Sequence, residues 1–540
     1  MPREPETTMR YLAVAILGLV WLTAGAATLP VADFGATPDD DTDDATAINQ
    51  ALADAQAGDT ISLPAGRLVL GTALKVPSGV ILRGAGRDKT LLVHAGEKPH
   101  VFIEMRKVEN VEIADLGMDG GNRPQATHGI LVIKSEEILV HHVAIRNFVD
   151  TGKFGPHGLQ FTGTSHSVIR DCVIENIAPE DPWGAGMRVA DDCSHNQILR
   201  NRIHNTGRGG IFTNARCTDA IIRGNVVSGS HGIAFAIEVH SGSVRTVVED
   251  NVVDHGLSIV SPNCAVRRNV VMDLSDTWGS YGIEGGGGPD GVVTDNVIEY
   301  GQGQGISISG GSARHMLWAR NRFSNCSQWG MQIQGASEER RIRCLYFYDN
   351  TFNRVKRGHP SARYPGHDGH ALRFNDHSEY LVFDHNRLVD NAGLAIQLTS
   401  GKDVNHLVFV NNTITGNAQG PINHYPGSAI VWEGNLVAGN GTDSVPTHGG
   451  EEGKPPTAAF TVPPAGRVGE PAVFRNTSQP GTEPIDHVLW DFGAGVPSTE
   501  SSPTFTYERV GEYRVSLVVW DKTGRASLAP TQTIRVLPAQ

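Results

Sequence analysis

Charge is scarce in this chain: only 19% of its 540 residues are Asp, Glu, Lys or Arg. Its 45 basic against 58 acidic residues leave a net charge of −13, which excludes the basic footprint of a nucleic-acid binder. Cysteine is rarer still, with six residues at 172, 193, 217, 264, 326 and 344 and no CxxC. That count is too low for a disulfide-framed scaffold, and without a CxxC the spacing signals no structural zinc module. Helical heptads are absent, and beyond Leu22 no apolar run approaches the length of a membrane span. Glycine, by contrast, is plentiful: 63 residues, against a usual share of about 7%. With 39% apolar residues a sizeable core is assured. Frequent turns, low charge and this length favour one elongated repeat architecture.

The N-terminus sets the compartment. Met9-Arg10 leads into the apolar run Tyr11 to Leu22, followed by small residues with Ala24 and Ala26 in an Ala-x-Ala site. That pattern is a secretory signal peptide over residues 1–27. It predicts a secreted, periplasmic or cell-surface protein without a membrane span after cleavage. The alternative, an uncleaved anchor, has a short run to work with.

From about residue 100 a unit recurs: Gly, apolar, any, apolar, a turn, then apolar-x-Asn-x-apolar and a polar turn. The Asn-type position is followed as Asp115, His142, Asp171, Asn201, Asn225, Asn251, Asn269, Asn296, Asn321, Asn350, Asn386, Asn412 and Asn435. Its strand pieces are short, rich in Val and Ile, and alternate with period two. One unit cannot bury its own apolar face, so units must stack, with equivalent side chains about 4.8 Å apart. Asn in each turn then bonds to the next Asn up. The prediction is an all-β chain whose main body is a right-handed parallel β-helix of roughly thirteen rungs. Cys193 and Cys217 each precede their Asn by eight residues, which places them on adjacent rungs, as a disulfide or as two free thiols.

Residues 31–86 break the pattern. The acidic run Asp39 to Asp44 leads into an amphipathic helix near Thr46 to Ala55, with Ile48, Leu52 and Ala55 on one face. It serves as the cap that an open solenoid end needs. The acidic run reads as a solvated helix start, with Ca²⁺ binding as the alternative. The segment VADFGA, with the later GD, LPAG and GV-L-G-G elements, resembles the N-terminal module of the pectate-lyase-like superfamily. The resemblance spans about residues 31–440. It implies the β-helix fold and membership of a group of rhamnogalacturonases, polysaccharide lyases, epimerases and tailspikes. The polygalacturonase signature is missing. Phe154-Gly155-Pro156-His157 is similar to the Asp-Pro-His segment of mannuronan epimerases, with Gly155 where the acid stands.

Past Asn435 a polar Gly/Pro linker is expected at 446–456, which ends a solenoid domain of residues 28–445. Trp490-Asp491-Phe492-Gly493, Pro503 to Tyr507, and Gly511-Glu512-Tyr513 with alternating Val515, Leu517 and Val519 follow. Residues 457–540 thereby resemble a PKD domain, an immunoglobulin-like β-sandwich. That implies a spacer or accessory module, with Trp490 and Phe492 in its core.

In Gly-apolar-x-apolar strands the x residue points outward. The outward row reads Leu131, Gln160, Arg188, Phe212, Glu238, Ser258, Glu284, Ser307, Gln332, Arg373 and Gln397, with Asn214, His240, Gln334 and Asn375 one position further on. Most of it is neutral and it holds no Lys. Its ionisable groups gather at Arg188, Glu238, His240 and Glu284, which are the candidate catalytic residues. Glu238 and Glu284, two rungs apart, have backbones about 9–10 Å from each other. That suits the acid and base of an inverting glycosidase. Arg188 suits a substrate carboxylate or sulfate, and His240 a proton shuttle. The alternative use of the same groups is β-elimination on a uronate polymer. There Asn214, Glu238 and Glu284 could hold Ca²⁺, and Arg188, His240 or His157 would move the proton. Candidate substrate-binding residues are Asn214, His157, Trp183, Trp278, Tyr281, Trp329 and Arg373, since rings along a groove offer apolar faces to sugars. Aromatic turns that merely seal the core would look the same, and the charged cluster could equally be solvated rung residues. The insertion Lys356 to Gly369, with a weak His367-Asp368-x-His370 metal pattern, is a candidate groove wall.

The sequence therefore predicts an exported, monomeric enzyme that cleaves an acidic polysaccharide. Hydrolysis is slightly favoured over elimination. A non-enzymatic glycan-binding surface protein is the other class.

Overall fold

Strands in which every second residue is apolar can bury only one face, so a chain made of them must coil and stack. The computed structural model describes residues 25–149, 155–180, 183–230, 235–240, 242–272, 281–285, 288–299, 303–309, 313–358, 369–399, 404–423, 429–445 and 453–540. The signal-peptide call falls outside them up to residue 24. Three parallel sheets of 14, 16 and 15 strands run along a solenoid. Each strand pairs with its counterparts one rung below and above, as His128–Ile133 does with Ile103–Arg106 and His157–Thr162. The result is the expected right-handed parallel β-helix, of about 13 turns. We call the 14-stranded sheet the groove sheet and the 16-stranded one the docking sheet. Inside, residues of one kind stack along the axis; the Phe347 and Phe383 rings are parallel at 4.5 Å, with Phe409 continuing the stack at 5.1 Å.

The asparagine ladder runs from Asn201 to Asn435. The backbone N–H and the Nδ2 of Asn269 both donate to Asn296 Oδ1 at 3.0 Å, and Asn269 Nδ2 also donates to the Val248 carbonyl at 2.9 Å. Asn296 repeats the arrangement with Asn321. Each amide thus satisfies groups on two rungs inside a dry core. The first three assigned members are displaced by one residue. Asp115, His142 and Asp171 occupy the corner just before the ladder, with φ of 56°, 51° and 56°. The ladder position itself falls on Leu116, Val143 and Cys172, and the Cys172 N–H donates to Asn201 Oδ1 at 3.0 Å. The corner needs a left-handed backbone, which short polar side chains tolerate. Those polar residues resemble ladder members in sequence. Higher up, the same corner column carries two-point ion pairs between rungs: Arg200 with Asp171, Arg268 with Asp250 and Arg320 with Asp295.

Cys193 and Cys217 do lie on adjacent rungs, through the Ser194–Thr218 bridge, and both are buried free thiols. The cap helix spans Ala45–Asp54 and buries Ala45, Ile48, Ala51 and Leu52. The acidic run before it spends its carboxylates on backbone donors. Asp44 accepts from the Thr37 and Val69 N–H groups, Asp43 from Ala45 and Gly71, and Asp39 from Arg67.

The C-terminal sandwich has Trp490 and Phe492 in its core, both essentially inaccessible. It rests on the solenoid. The outward row of the docking sheet is apolar over successive rungs: Ile221, Val247, Ala265, Val292, Leu317, Tyr346, Val382 and Val408 are in register. Leu489, Val518 and Trp520 of the sandwich share one buried cluster with it. Across this interface the buried Arg267 guanidinium donates to Asp491 Oδ1 and the Gly495 carbonyl, each at 2.6 Å. Among the described residues no helix is long and apolar enough to cross a membrane.

Asn296→Ala removes the acceptor of the buried Asn269 N–H and the donor to Val266 and Asn321. Each such orphan costs about 1–3 kcal/mol. We expect a loss of about 2–4 kcal/mol, read as a lower midpoint in urea denaturation.

Candidate active site

The outward row of the groove sheet is built as its spacing predicts. Leu131, Gln160, Arg188, Phe212, Glu238, Ser258, Glu284, Ser307, Gln332, Arg373 and Gln397 pair rung to rung in that order. Asn214 and His240 pair in the next outward position. The row also extends two rungs toward the N-terminus, through Glu104 and Lys75. It does therefore contain a lysine, at the far end from the carboxylates.

Glu238, Ser258 and Glu284 are consecutive in the row, so the two carboxylates stand two rungs apart, about 9–10 Å between backbones. The Ser258 hydroxyl donates to Glu284 Oε2 at 2.5 Å. Glu238 is only 7% exposed in its side chain, and its partner there is Arg208, whose Nη2 reaches Oε1 and Oε2 at 3.3 and 3.4 Å. Asn214 Nδ2 donates to Oε1 at 2.9 Å. Arg208 is half-exposed, with its guanidinium over Trp183 at 5.4 Å and Phe212 at 5.6 Å. Arg208 was not among the residues chosen from sequence. It sits in the turn before the strand, outside the alternation that identified the row; the only signal was its place beside Gly207 and Gly209. Ser258 appeared as a neutral rung residue, and its bridging position shows only in three dimensions.

The other candidates divide by burial. His240 and Trp183 are exposed, and Tyr281 is partly so, stacked on Phe235 at 6.4 Å. Arg188 is mostly buried and paired with Asp191 at 2.9 Å. Arg373 lies over the Trp329 ring at 4.2 Å. Trp329 is 2% exposed and His157 fully buried, so these two support the groove from below rather than line it. His128 Nε2 and His157 Nδ1 both meet Gln160 Oε1, at 2.8 and 2.9 Å. Burial, helped by the neighbouring His128, pushes the His157 imidazole down to about 3. A group so disposed is poorly suited to carry a proton near neutrality. Trp278 and the insertion from 359 to 368, with its His367 and Asp368, lie outside the described residues. His370 Nδ1 accepts the Leu394 N–H at 2.8 Å, a structural use.

The oxygen set proposed for Ca²⁺ does not fit that ion. Ca²⁺ takes 6–8 oxygen ligands, while the Glu238 carboxylate already faces a guanidinium and an amide donor and Glu284 a hydroxyl donor. A cation there would displace Arg208 or be repelled by it.

Comparison with known proteins bears on the fold. The profile described as right handed beta helix region matches residues 93–254 and 254–442. The chain belongs to that family. In this right-handed β-helix protein the cap matches the profile "Rhamnogalacturonase A/epimerase, pectate lyase-like" over residues 29–100, and residues 453–536 match a PKD domain. Both agree with the resemblances read from sequence. Among solved structures it is similar to tailspike protein 3 of bacteriophage CBA120, with 10% identity and a TM-score of 0.50 over 76% of this chain and 61% of that one. A mannuronan C-5 epimerase A-module from Azotobacter vinelandii shows 17% identity and a TM-score of 0.41 over 77% of this chain and 100% of its own. Among curated proteins, a microbial collagenase of Vibrio alginolyticus is 44% identical over 82 residues, which is 15% of this chain and 10% of the collagenase. The chain thus matches about a tenth of the length of such relatives.

His157 has a testable consequence. Its folded value of about 3 lies below the 6.5 of a free imidazole, so the unfolded chain takes up the proton first as pH falls. Stability is fully present above about pH 6.5 and is lost as pH drops toward about 3; His94, pushed down to about 4 chiefly by burial, acts with the same sign. Thermal denaturation between about pH 7 and about pH 4 should show a falling Tm, with a shallower fall in His157→Asn.

Proposed function

We propose that this protein is an exported enzyme that cleaves an acidic polysaccharide by hydrolysis through Glu238 and Glu284. The observation that carries the reading is the placement of the two carboxylates two rungs apart on one outward row, with only Ser258 between them. Inverting glycosidases place their carboxyl groups about 6.5–9.5 Å apart to admit a water between base and sugar, and a two-rung separation serves that span. Glu238, paired with a guanidinium and an amide donor, suits the base that activates water. Glu284, whose described partner is a hydroxyl, suits the acid that protonates the leaving oxygen. Trp183 and Tyr281 would offer ring faces to sugar units, and Arg188 and Arg373 would receive acidic substituents. The N-terminal apolar run and Ala-x-Ala site support export, and the β-helix fold supports an extended substrate laid along or across the rungs.

A second reading is β-elimination on a uronate polymer. It is favoured by Arg208, a half-exposed guanidinium beside Glu238 that could neutralise a uronate carboxylate without a metal ion. His240, exposed on the adjacent outward position, would then move the C5 proton.

Glu238→Gln and Glu284→Gln should each lower the rate of polysaccharide cleavage by about 100- to 10 000-fold, measured as reducing-end release over a panel of acidic polysaccharides. Full activity in both variants overturns the assignment. Mass spectrometry of the products separates the two chemistries, because hydrolysis adds water and elimination leaves an unsaturated end.

A further inference from the structure

Beside the two carboxylates the groove carries a cation whose hydrogen-bonding capacity is mostly unspent. Arg208 stands in the turn before the strand Gly209–Asn214. That turn is pinned to the preceding rung: the Gly207 N–H donates to the Ile177 carbonyl at 3.0 Å and the Arg208 N–H to the Gly184 carbonyl at 2.5 Å. The guanidinium lies over the Trp183 and Phe212 rings, at 5.4 and 5.6 Å. A Cβ at Gly209 would come within 2.8 Å of the Phe212 ring, so glycine there gives that ring its place. A fixed turn and two π faces thus orient the head group before a ligand arrives.

A guanidinium has five N–H donors in a rigid fork geometry. Arg208 spends only Nη2, on the Glu238 oxygens at 3.3 and 3.4 Å, and its side chain makes no other hydrogen bond among the described residues. The contact is long beside the roughly 2.7–2.9 Å of a strong charge-assisted bond. With 38% of the side chain exposed, a two-donor fork is left for a bidentate partner in the groove. The other guanidiniums of the row are worse placed. Arg188 is 13% exposed and already paired with Asp191 at 2.9 Å. Arg373 stands five rungs beyond Glu238, about 24 Å away at one strand spacing per rung.

We propose that Arg208 sets where the polymer is cut: it binds the carboxylate of the uronate unit whose own glycosidic bond is hydrolysed. This rests on the reading of Glu238 as base and Glu284 as acid. In that reaction a water oxygen bonds to the anomeric carbon as the bond from that carbon to the glycosidic oxygen breaks. The water proton goes to Glu238 and the Glu284 proton to the leaving oxygen. In a pyranuronic acid only the ring oxygen separates the anomeric carbon from the carbon that bears the carboxylate. A guanidinium that touches Glu238 with one donor therefore reaches the carboxylate of the same sugar with its fork. It also screens the two like charges from each other. The consequence is positional: in a polymer of mixed units each new reducing end is a uronate, and bonds of neutral units are passed over.

The test uses the full chain and whichever polymer of the acidic panel it cleaves fastest, with part of the carboxylates reduced to primary alcohols. New reducing ends are labelled by reductive amination and identified by mass spectrometry. We expect uronate ends to exceed their share in the polymer by about 10- to 100-fold, the worth of a hydrogen bond to a charged group. Arg208→Gln should lower kcat/KM on the unreduced polymer by a similar factor and abolish the end preference. Arg208→Lys, which keeps the charge beside Glu238 but lacks the fork, should fall between the two. Circular dichroism and Tm establish that the variants fold, and the ratio of ends is internal to each variant, so a general loss of activity does not move it. Ends in the proportion of the polymer, or a preference unchanged in Arg208→Gln, overturn the role of Arg208 and leave hydrolysis by the two carboxylates standing. Full activity in Glu238→Gln, unsaturated ends, or no cleavage across the panel overturn the underlying reading instead.

Discussion

From Asn225 to Asn435 each ladder asparagine is held by three groups at once: the backbone N–H and the amide of its neighbour on one rung, and a carbonyl on another. An amide that failed to find them would leave polar atoms stranded in an apolar interior, so the chain cannot slip by one residue between rungs. The rest of the molecule inherits that fixed register. Successive strands of the groove sheet meet residue for residue, and Glu238, Ser258 and Glu284 fall into line although 46 residues of sequence separate the outer two. The ion pairs of the left-handed corner column, Asp171 with Arg200 and Asp295 with Arg320, brace the same register from the surface side.

The two sheets described most closely put their outward faces to different uses. Along the groove sheet the outward row is largely neutral and leaves room for a few charged groups. Along the docking sheet the outward row is apolar from Ile221 to Val408, and the sandwich covers it. Arg267 and Asp491 sit within that cover as a buried ion pair, whose value lies in fixing the orientation of the two bodies more than in net stability. A PKD module read from sequence as a spacer is therefore packed against the solenoid wall.

The period-two alternation and the recurrent Gly before each strand make the architecture and the outward row legible in the sequence, since both follow from local geometry. The ladder was legible wherever it was asparagine. It was misjudged by one residue at Asp115, His142 and Asp171, because a left-handed corner and a buried amide select overlapping residue types. Arg208 escaped notice because turn residues obey no alternation, and its pairing with Glu238 spans 30 residues of chain. The apolar docking row was visible in principle, as strands such as Val292-Val293 and Leu317-Trp318 that are apolar on both faces. That pattern says a face is covered without saying by what.

Rung length varies along the solenoid, from 18 residues between Asn251 and Asn269 to 36 between Asn350 and Asn386. The shortest rung is the one that carries Ser258, between the two carboxylates. Its strands Val252–Val253, Leu257–Ile259 and Ala265–Arg267 are joined by short connections, with no long excursion between them. This rung therefore adds less polypeptide around the row than any other rung of the asparagine ladder. A long rung at the same place would have raised an obstacle between Glu238 and Glu284. Economy of chain, as much as the choice of side chains, keeps this rung from adding bulk between the two carboxylates.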